Sequence, residues 1–445
     1  MKIPLRFTTT PLIGILVGAM LLGLWSSLAP RNTGEQGRAI GDRSVESGAV
    51  ARGAADPRRP TLAPSPAAKP TSVAAPKHDA LLDSLRSKLQ APNVVPGEAL
   101  LTFRDAEARE RFASQAAARG LEIVAEIPQL NAARVRYHRL EDLRDSIAGN
   151  GSDYASVEGN LWLSIPGASP APDPNNQGGR APFGQAMMQA INAAGDRTQW
   201  GRDVTVAVLD TGVLLHPTFA AGQITHLDLV GDGQSFHSHG TSVASLIGGQ
   251  NPQAPGVAPA AQILDVRVAN AEGYSVGSTL AQGIIAATDR GAKVINISLG
   301  GYGDSAMLGQ AVNYAFQRGA VVVAAAGNDA YGQLAIPAAY EGVISVGSVD
   351  ANNRQAYFSN AGAGLDLAAP GVGVVSAWET DKVAFVSGTS QSSALVSAAA
   401  ASYLAWGVPP QQVAARLKTD ARPAFNASGV AIGPGILMIK PPSGR

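Results

Sequence analysis

Residues 204–213 are Val-Thr-Val-Ala-Val-Leu-Asp-Thr-Gly-Val, and this stretch predicts the fold of the larger part of the chain. Its first six residues are almost all apolar and rich in β-branched side chains, which indicates a strand buried on both faces. The strand ends in a carboxylate at Asp210, and Gly212 predicts a sharp turn directly after it. Strands of this kind are typical of parallel sheets, whose active residues lie beyond the carboxyl ends of the strands.

From about residue 186 onward, further apolar strands alternate with helical segments. This alternation predicts an α/β domain over 186–441, with a mostly parallel sheet and helices on both faces. The other predicted strands are Ile263–Val268, Val294–Leu299, Val321–Ala326 and Gly342–Val349. The predicted helices are Ser278–Arg290, Ser305–Arg318, Ser390–Ala405 and Pro410–Ala421.

A smaller unit, residues 93–166, precedes this domain. Its apolar spacing predicts the order β-α-β-β-α-β, which is typical of a small α+β ferredoxin-like domain. The predicted elements are, in order, Gly97–Phe103, Asp105–Gly120, Leu121–Ile127, Ala132–Tyr137, Leu140–Ala148 and Tyr154–Ile165. Residues 167–185, between the two domains, are rich in Pro, Gly and Asn, which predicts an exposed junction that proteases can cut.

The N-terminus has the features of an export signal. Lys2 and Arg6 precede an apolar stretch over 11–25, so residues 1–29 are predicted to be a signal peptide or, if uncleaved, a membrane anchor. The stretch of roughly 15 apolar residues is shorter than the roughly 20 that a bilayer requires. Residues 30–92 have no apolar periodicity and are predicted to be a disordered linker. We therefore expect a secreted or periplasmic protein, which contacts a membrane only if its N-terminal segment is retained.

Charge and cysteine content exclude several function classes. Lys and Arg total 34, as do Asp and Glu, so the formal net charge is zero. Because no basic stripe is present to attract phosphates, no nucleic-acid partner is expected. The chain has no cysteine, which excludes disulfides, thiolate catalysis and Cys-ligated metal sites.

Three segments carry the residue types that nucleophilic catalysis requires. Asp210 ends the first strand, His239 begins a small-residue helix, and Ser390 opens a long Ala-rich helix after Gly-Thr. A serine hydroxyl is a poor nucleophile until a base takes its proton. His239 is such a base, and Asp210 can fix the imidazole tautomer and stabilise the imidazolium. A helix N-terminus also leaves the Ser390 N–H free to donate to a developing oxyanion.

Two more segments lie at predicted strand ends. Asn328 follows a strand in Ala-Ala-Ala-Gly-Asn, where its amide can donate to the same oxyanion. The segment Ser298-Leu299-Gly300 ends the preceding strand. A strand edge of this kind can pair with an extended peptide through backbone hydrogen bonds.

Together these segments resemble the subtilisin-like serine peptidase family over about residues 190–437. The order Asp, His, Ser along the chain is the one known for subtilisin, a standard example of this chemistry. The resemblance implies a triad of Asp210, His239 and Ser390, with Asn328 as the oxyanion amide. It also implies two strands that clamp the substrate, Ser298-Leu299-Gly300 and Gly273-Tyr274-Ser275. The implied activity is that of a secreted serine endopeptidase, which hydrolyses peptide bonds through an acyl-enzyme intermediate.

The resemblance extends to residues 93–166, which are similar to the family's inhibitory propeptide. It implies a self-processing zymogen whose partners are its own propeptide, as intramolecular inhibitor, and protein or peptide substrates. No cofactor is required for the chemistry. The indications for calcium conflict, because Thr218 stands where the family often has a calcium-binding Asp, whereas Asp366 aligns with a weaker ion site. After the nucleophile, 391–394 depart from the family's usual Met-Ala, which predicts a different subsite floor.

Other functions match parts of the pattern. Asp-Thr-Gly is also the aspartic-protease signature, but that chemistry needs two such carboxylates, and the sequence has one. His237 and His239 could ligate a metal, but no third ligand cluster accompanies them, so no metal site is predicted. Two alternatives stay open: an inactive binding protein with the same fold, and a membrane-tethered processing protease. Small residues over 324–327 and 335–338 predict a pocket for a sizeable apolar side chain before the cut.

Overall fold

The computed structural model of the chain describes residues 86–167, 179–425, 433 and 435–442. The predicted signal peptide or anchor, most of the predicted linker and most of the predicted junction lie outside these residues. Within the part that is described, no helix is long and apolar enough to cross a membrane.

The N-terminal domain is an antiparallel sheet with two helices. Its strands are β1 (Val94–Phe103), β2 (Leu121–Ile127), β3 (Ala132–Tyr137) and β4 (Tyr154–Ser164), and its helices are α1 (Ala106–Gln115) and α2 (Leu140–Gly149). The strands lie in the order β2-β3-β1-β4, and each neighbouring pair is antiparallel. The predicted α+β domain is therefore confirmed, in the predicted order of elements.

Helix α1 begins as the sequence predicts and ends earlier. The Asp105 carboxylate accepts a hydrogen bond from Ala108 N at 2.7 Å, as an N-cap should. The helix gives way after Gln115 to a 3₁₀ turn over Ala117–Arg119, and Gly120 then adopts the left-handed φ of 72°. Phe103, Phe112 and Tyr154 form an aromatic cluster at the centre of this domain's own core.

The larger domain contains a parallel sheet of seven strands. These strands are β5 (Thr205–Asp210), β6 (Ile224–Asp228), β7 (Gln262–Arg267), β9 (Val294–Ile297), β10 (Val321–Ala325), β11 (Ile344–Val349) and β12 (Leu367–Pro370). A short strand β8 (Tyr274–Val276) and a hairpin of β13 (Val374–Trp378) and β14 (Lys382–Val386) lie outside this sheet. The helices are α3 (Met187–Ala190), α4 (Ser238–Gly248), α5 (Gly277–Asp289), α6 (Ala306–Gln317), α7 (Thr389–Ala405) and α8 (Pro410–Asp420).

The strand order is β12-β11-β10-β9-β5-β7-β6, so β5 lies inside the sheet. Its alternate residues enter two different cores: Val206 and Val208 pack with α4 and α7, whereas Ala207 and Leu209 pack with α5 and α6. Both faces of the sheet are therefore covered, which is why its strands are continuously apolar. The predicted parallel sheet with helices on both faces is confirmed.

The apolar pattern did not predict β6, β12 and the β13–β14 hairpin, and only the family resemblance implied a strand at the position of β8. Strand β6 lies at the sheet edge and is half exposed, so its sequence Ile-Thr-His-Leu-Asp lacks an apolar run. Strand β8 has three residues, and β14 is mostly exposed, with Phe385 presenting 71% of its surface to solvent. Short or exposed strands give no periodicity long enough to detect.

The N-terminal domain packs on the face of the larger domain that carries α5 and α6. The Glu158 carboxylate accepts hydrogen bonds at the start of α6, from Ser305 Oγ at 2.7 Å, Ala306 N at 2.8 Å and Met307 N at 3.1 Å. At the start of α5, Asn160 Oδ1 accepts a hydrogen bond from Ser278 N at 3.1 Å. These contacts satisfy N–H groups that a helix leaves without an intrahelical partner.

Candidate active site

Asp210 is fully buried at the carboxyl end of β5. Its Oδ1 accepts hydrogen bonds from Thr211 N at 2.7 Å and from Thr211 Oγ1 at 3.1 Å. Gly212 follows with a φ of 93°, and a Cβ there would lie 2.7 Å from the Phe236 ring. The turn therefore needs glycine both for its backbone conformation and for space.

His239 lies in the first turn of α4 and faces Asp210. Its Nδ1 is 2.8 Å from Asp210 Oδ1 and 3.0 Å from Oδ2. Because an ionised carboxylate only accepts hydrogen bonds, Nδ1 carries the proton and Nε2 is left as the basic nitrogen. A Cβ on Gly240 would lie 2.3 Å from Gly212 O, so the close approach of α4 to the Asp210 turn depends on glycine.

Ser390 is the second residue of α7 and is buried. Its hydroxyl donates to the backbone carbonyl of Ser298 at 3.2 Å. Ser390 and His239 line one cavity of about 700 Å³, which also contains Asn328 and Gln391. A rotation about the Cα–Cβ bond of Ser390 turns the hydroxyl from Ser298 O toward this shared cavity.

Asn328 is oriented by a residue that sequence reasoning missed. Its Oδ1 accepts hydrogen bonds from Thr389 N at 3.0 Å and from Thr389 Oγ1 at 2.8 Å. With the oxygen fixed in this way, Nδ2 is the group that Asn328 presents to the cavity. The Gly-Thr dipeptide before Ser390 was visible in the sequence, but it did not indicate that Thr389 donates hydrogen bonds to the Asn328 oxygen.

The two predicted clamping strands lie on either side of the end of β4. Ser164 exchanges two backbone hydrogen bonds of 2.9 Å with Gly300, and Ile165 N donates to Gly273 O at 2.9 Å. On the same side as Gly273, β4 pairs antiparallel with β8, so that Leu163 lies opposite Ser275 and Ser164 opposite Tyr274.

The two clamping strands contact the end of β4 mainly through their backbones. The Leu299 side chain is fully buried, and Ser275 Oγ turns inward to Val268 O at 2.6 Å. A Cβ at Gly273 would lie 2.3 Å from Ile165 Cγ1, so that position needs glycine to admit the chain. Tyr274 keeps 55% of its surface exposed.

The other histidines near the site have structural contacts. His216 joins the Asp210 loop to β14 through Nε2, 2.9 Å from Lys382 O. His237 accepts a hydrogen bond from His239 N at 3.2 Å as the N-cap of α4, and burial lowers the pKa of its imidazole. Among the described residues, no group of three or more His, Cys, Asp or Glu side chains could hold a metal ion.

Asp366 is held by contacts within the chain. One carboxylate oxygen accepts hydrogen bonds from Ser345 N and Oγ, both at 3.1 Å. The other lies 2.5 Å from the Lys418 ammonium. At Thr218 the hydroxyl donates to Ala254 O at 2.9 Å, so the position holds a neutral hydrogen bond instead of a carboxylate.

An ion pair between a buried aspartate and an exposed histidine lies behind the Asp210 turn, and the sequence did not predict it. Asp265 is fully buried in β7, and its Oδ2 lies 2.6 Å from His226 Nδ1 and accepts a hydrogen bond from Val213 N at 2.8 Å. The Asp265 carboxylate raises the pKa of His226. The pair therefore connects the edge strand β6 to the turn that follows Asp210.

Comparison with known proteins gives matches over the part of the chain that contains Asp210, His239 and Ser390. A family model described as the subtilase family, peptidase S8, matches residues 201–433. Subtilisin Savinase of Lederbergia lenta is 42% identical over 223 residues, which cover 49% of this chain and 82% of Savinase. Thermitase of Thermoactinomyces vulgaris is 37% identical over 228 residues, which cover 50% of this chain and 82% of thermitase.

A solved structure extends the similarity to more of the chain. The crystal structure of fervidolysin from Fervidobacterium pennivorans, a keratinolytic enzyme related to subtilisin, matches with a TM-score of 0.67 and 25% identity. The match covers 79% of this chain and 61% of fervidolysin. Because 79% of the chain exceeds the share that the family model covers, the likeness in fold reaches beyond the parallel-sheet domain.

Proposed function

Because this chain belongs to the subtilase family, we propose that it is a self-processing serine endopeptidase whose triad is Asp210, His239 and Ser390. Membership of the family makes the chain a subtilisin-like serine endopeptidase with protein substrates. The observation that supports the triad best is the 2.8 Å contact between His239 Nδ1 and Asp210 Oδ1, beside a cavity that Ser390 also lines.

In the proposed reaction, the Ser390 hydroxyl leaves Ser298 O and turns to His239 Nε2. His239 takes the proton while Ser390 Oγ attacks the carbonyl carbon of the scissile bond. Asp210 stabilises the imidazolium, which then protonates the leaving amine. Water, activated by the same imidazole, hydrolyses the acyl-enzyme and regenerates Ser390.

Two donors are available for the oxyanion that forms on the substrate carbonyl. Asn328 offers Nδ2, because Thr389 occupies its oxygen, and Ser390 offers its N–H in the first turn of α7. Donors fixed in advance require no reorganisation as the charge develops. The positive end of the α7 dipole acts in the same direction.

A second cavity, of about 480 Å³, shares Ser164, Pro166 and Gly167 with the one that Ser390 lines and supports the predicted preference for an apolar side chain before the cut. Its walls include Ala325, Gly327 and Ala335, which are small and leave the space open. A peptide library in which only acidic or basic residues are accepted at this position would overturn the preference.

We also propose that the N-terminal domain is an inhibitory propeptide. The end of β4 lies between the two strands that would clamp a substrate, bound through Ser164 and Ile165 to Gly300 and Gly273. Glu158 and Asn160 anchor the same strand at the N-termini of α6 and α5. An extended segment held in this way excludes substrate. Lys2, Arg6 and the apolar stretch 11–25 support export as a secreted or periplasmic precursor.

The test compares a chain of residues 30–445 with its Ser390→Ala variant. We expect the parent to shorten at a point near or within 167–190 and to react with a serine-directed fluorophosphonate, whereas the variant stays full-length and unlabelled. Loss of the triad serine costs roughly 10⁶-fold in kcat in subtilisin, so the contrast should be complete. A well-folded parent that neither shortens nor labels would contradict the proposal and favour an inactive binding protein.

A further inference from the structure

The backbone register of the occupied cleft identifies the peptide bond that is presented to Ser390. Ser164 and Gly300 exchange both of their backbone hydrogen bonds, each 2.9 Å long. In an antiparallel ladder, such doubly bonded pairs recur every second residue. Continued by two residues, this register would bring Pro166 opposite Ser298.

Ser298 lies directly beside the nucleophile, because its carbonyl accepts the Ser390 hydroxyl at 3.2 Å. A residue opposite Ser298 would therefore lie next to Ser390. Pro166 and Gly167 both line the cavity that contains Ser390, His239 and Asn328. The bond that the register presents for attack is Pro166–Gly167.

Proline cannot complete the ladder at this position. It has no N–H, so Pro166 donates nothing to Ser298 O. That carbonyl accepts the Ser390 hydroxyl instead, which keeps the nucleophile off His239 Nε2. A residue with an N–H at this position would donate to Ser298 O and so anchor the chain next to the scissile bond. It would also compete with the Ser390 hydroxyl for that carbonyl.

We infer that Pro166 protects the Pro166–Gly167 bond, so that the propeptide occupies the cleft as a slowly cut inhibitor, and that the first maturation cut falls at another bond. This inference rests on the proposed function. Cleavage at 166–167 would break the C–N bond to Gly167, form an ester between Ser390 Oγ and the Pro166 carbonyl carbon, and pass the serine proton through His239 to the Gly167 nitrogen. Water would then release an N-terminal fragment that ends at residue 166.

The first test follows this fragment by mass spectrometry as the precursor of residues 30–445 matures. Pro166→Ala should raise the rate of cleavage at 166–167 by about tenfold or more, since it supplies one hydrogen bond and frees the nucleophile. Pro128→Ala is the matched control, because Pro128 begins the 3₁₀ turn between β2 and β3. The control should leave that rate unchanged. Cleavage of the parent at 166–167 as fast as the Pro166→Ala variant would overturn the inference.

A second test does not depend on the folding of a precursor variant. The matured enzyme is given two acetylated peptides, Leu-Ser-Ile-Pro-Gly-Ala, which copies residues 163–168, and Leu-Ser-Ile-Ala-Gly-Ala. We expect kcat/KM for the alanine peptide to be about tenfold higher or more. Equal values would overturn the inference while leaving the endopeptidase intact. Hydrolysis of neither peptide, together with no fluorophosphonate labelling, would instead contradict the proposed function itself.

Discussion

The two sheets of this molecule differ in what their strands carry. The parallel sheet is buried on both faces and has Asp210 at the end of a strand and Ser298 and Asn328 just beyond two others. The antiparallel sheet of the N-terminal domain has none of these groups, but its last strand continues into the cleft that Asn328, His239 and Ser390 line. This difference is the basis of our proposal that one domain provides the chemistry and the other controls access to it.

The largest effect on activity is expected from removing a hydrogen-bond donor that follows one of the parallel strands. Asn328→Ala should lower kcat by about 10²- to 10³-fold with little change in KM, because in the proposed mechanism the amide acts on the oxyanion of the transition state. Thr389→Val should have a smaller effect in the same direction, since it removes one of the two hydrogen bonds that hold Asn328 Oδ1. Steady-state hydrolysis of a chromogenic peptide measures both. A rise in KM at constant kcat would assign Asn328 to substrate binding.

An effect of intermediate size, on the binding of the cut propeptide, is expected from a substitution in the N-terminal domain. Glu158→Ala removes three hydrogen bonds at the start of α6. Charge-assisted bonds of this kind contribute enough for the cut propeptide to bind roughly 10- to 100-fold more weakly. The measurement is the fraction of N-terminal fragment that stays with the enzyme on gel filtration after processing. The control is Glu110→Ala, at an exposed position of α1. Equal retention in both variants would mean that Glu158 does not anchor the domain.

The smallest expected effect is on the stability of the parallel sheet that carries the site. Asp265 raises the pKa of His226, so the pair stabilises the fold fully below the ordinary His pKa of about 6.5, and the contribution is lost as pH rises through the raised value. His226→Gln should therefore lower stability by about 1 kcal/mol in mild acid and less at alkaline pH. Denaturant unfolding over pH 5 to 9 checks this, with His138→Gln in the N-terminal domain as control. A difference that grows with pH would have the wrong sign.

Much of this arrangement could be predicted from the sequence. Long apolar runs such as 204–209 indicated a parallel sheet, and the rule that active groups follow strand ends placed Asp210, Ser298 and Asn328 together. The parallel strands β6 and β12 could not be predicted, because they are short and β6 is half exposed at the edge. Pairings between residues far apart in the chain, such as His226 with Asp265 and Thr389 with Asn328, leave no periodic signal. The register of Pro166 against Ser298 depends on how two domains dock, which no local pattern encodes.

Hydrogen exchange on the uncut Ser390→Ala precursor tests the central claim most directly. If the N-terminal domain closes the cleft with its own strand, the amides of Ser164, Ile165 and Gly300 are hydrogen-bonded and should exchange at least about 100-fold more slowly than in an unstructured chain. Exchange of Ser164 and Ile165 at the rates of a free peptide, in a chain whose parallel sheet is protected, would contradict the account.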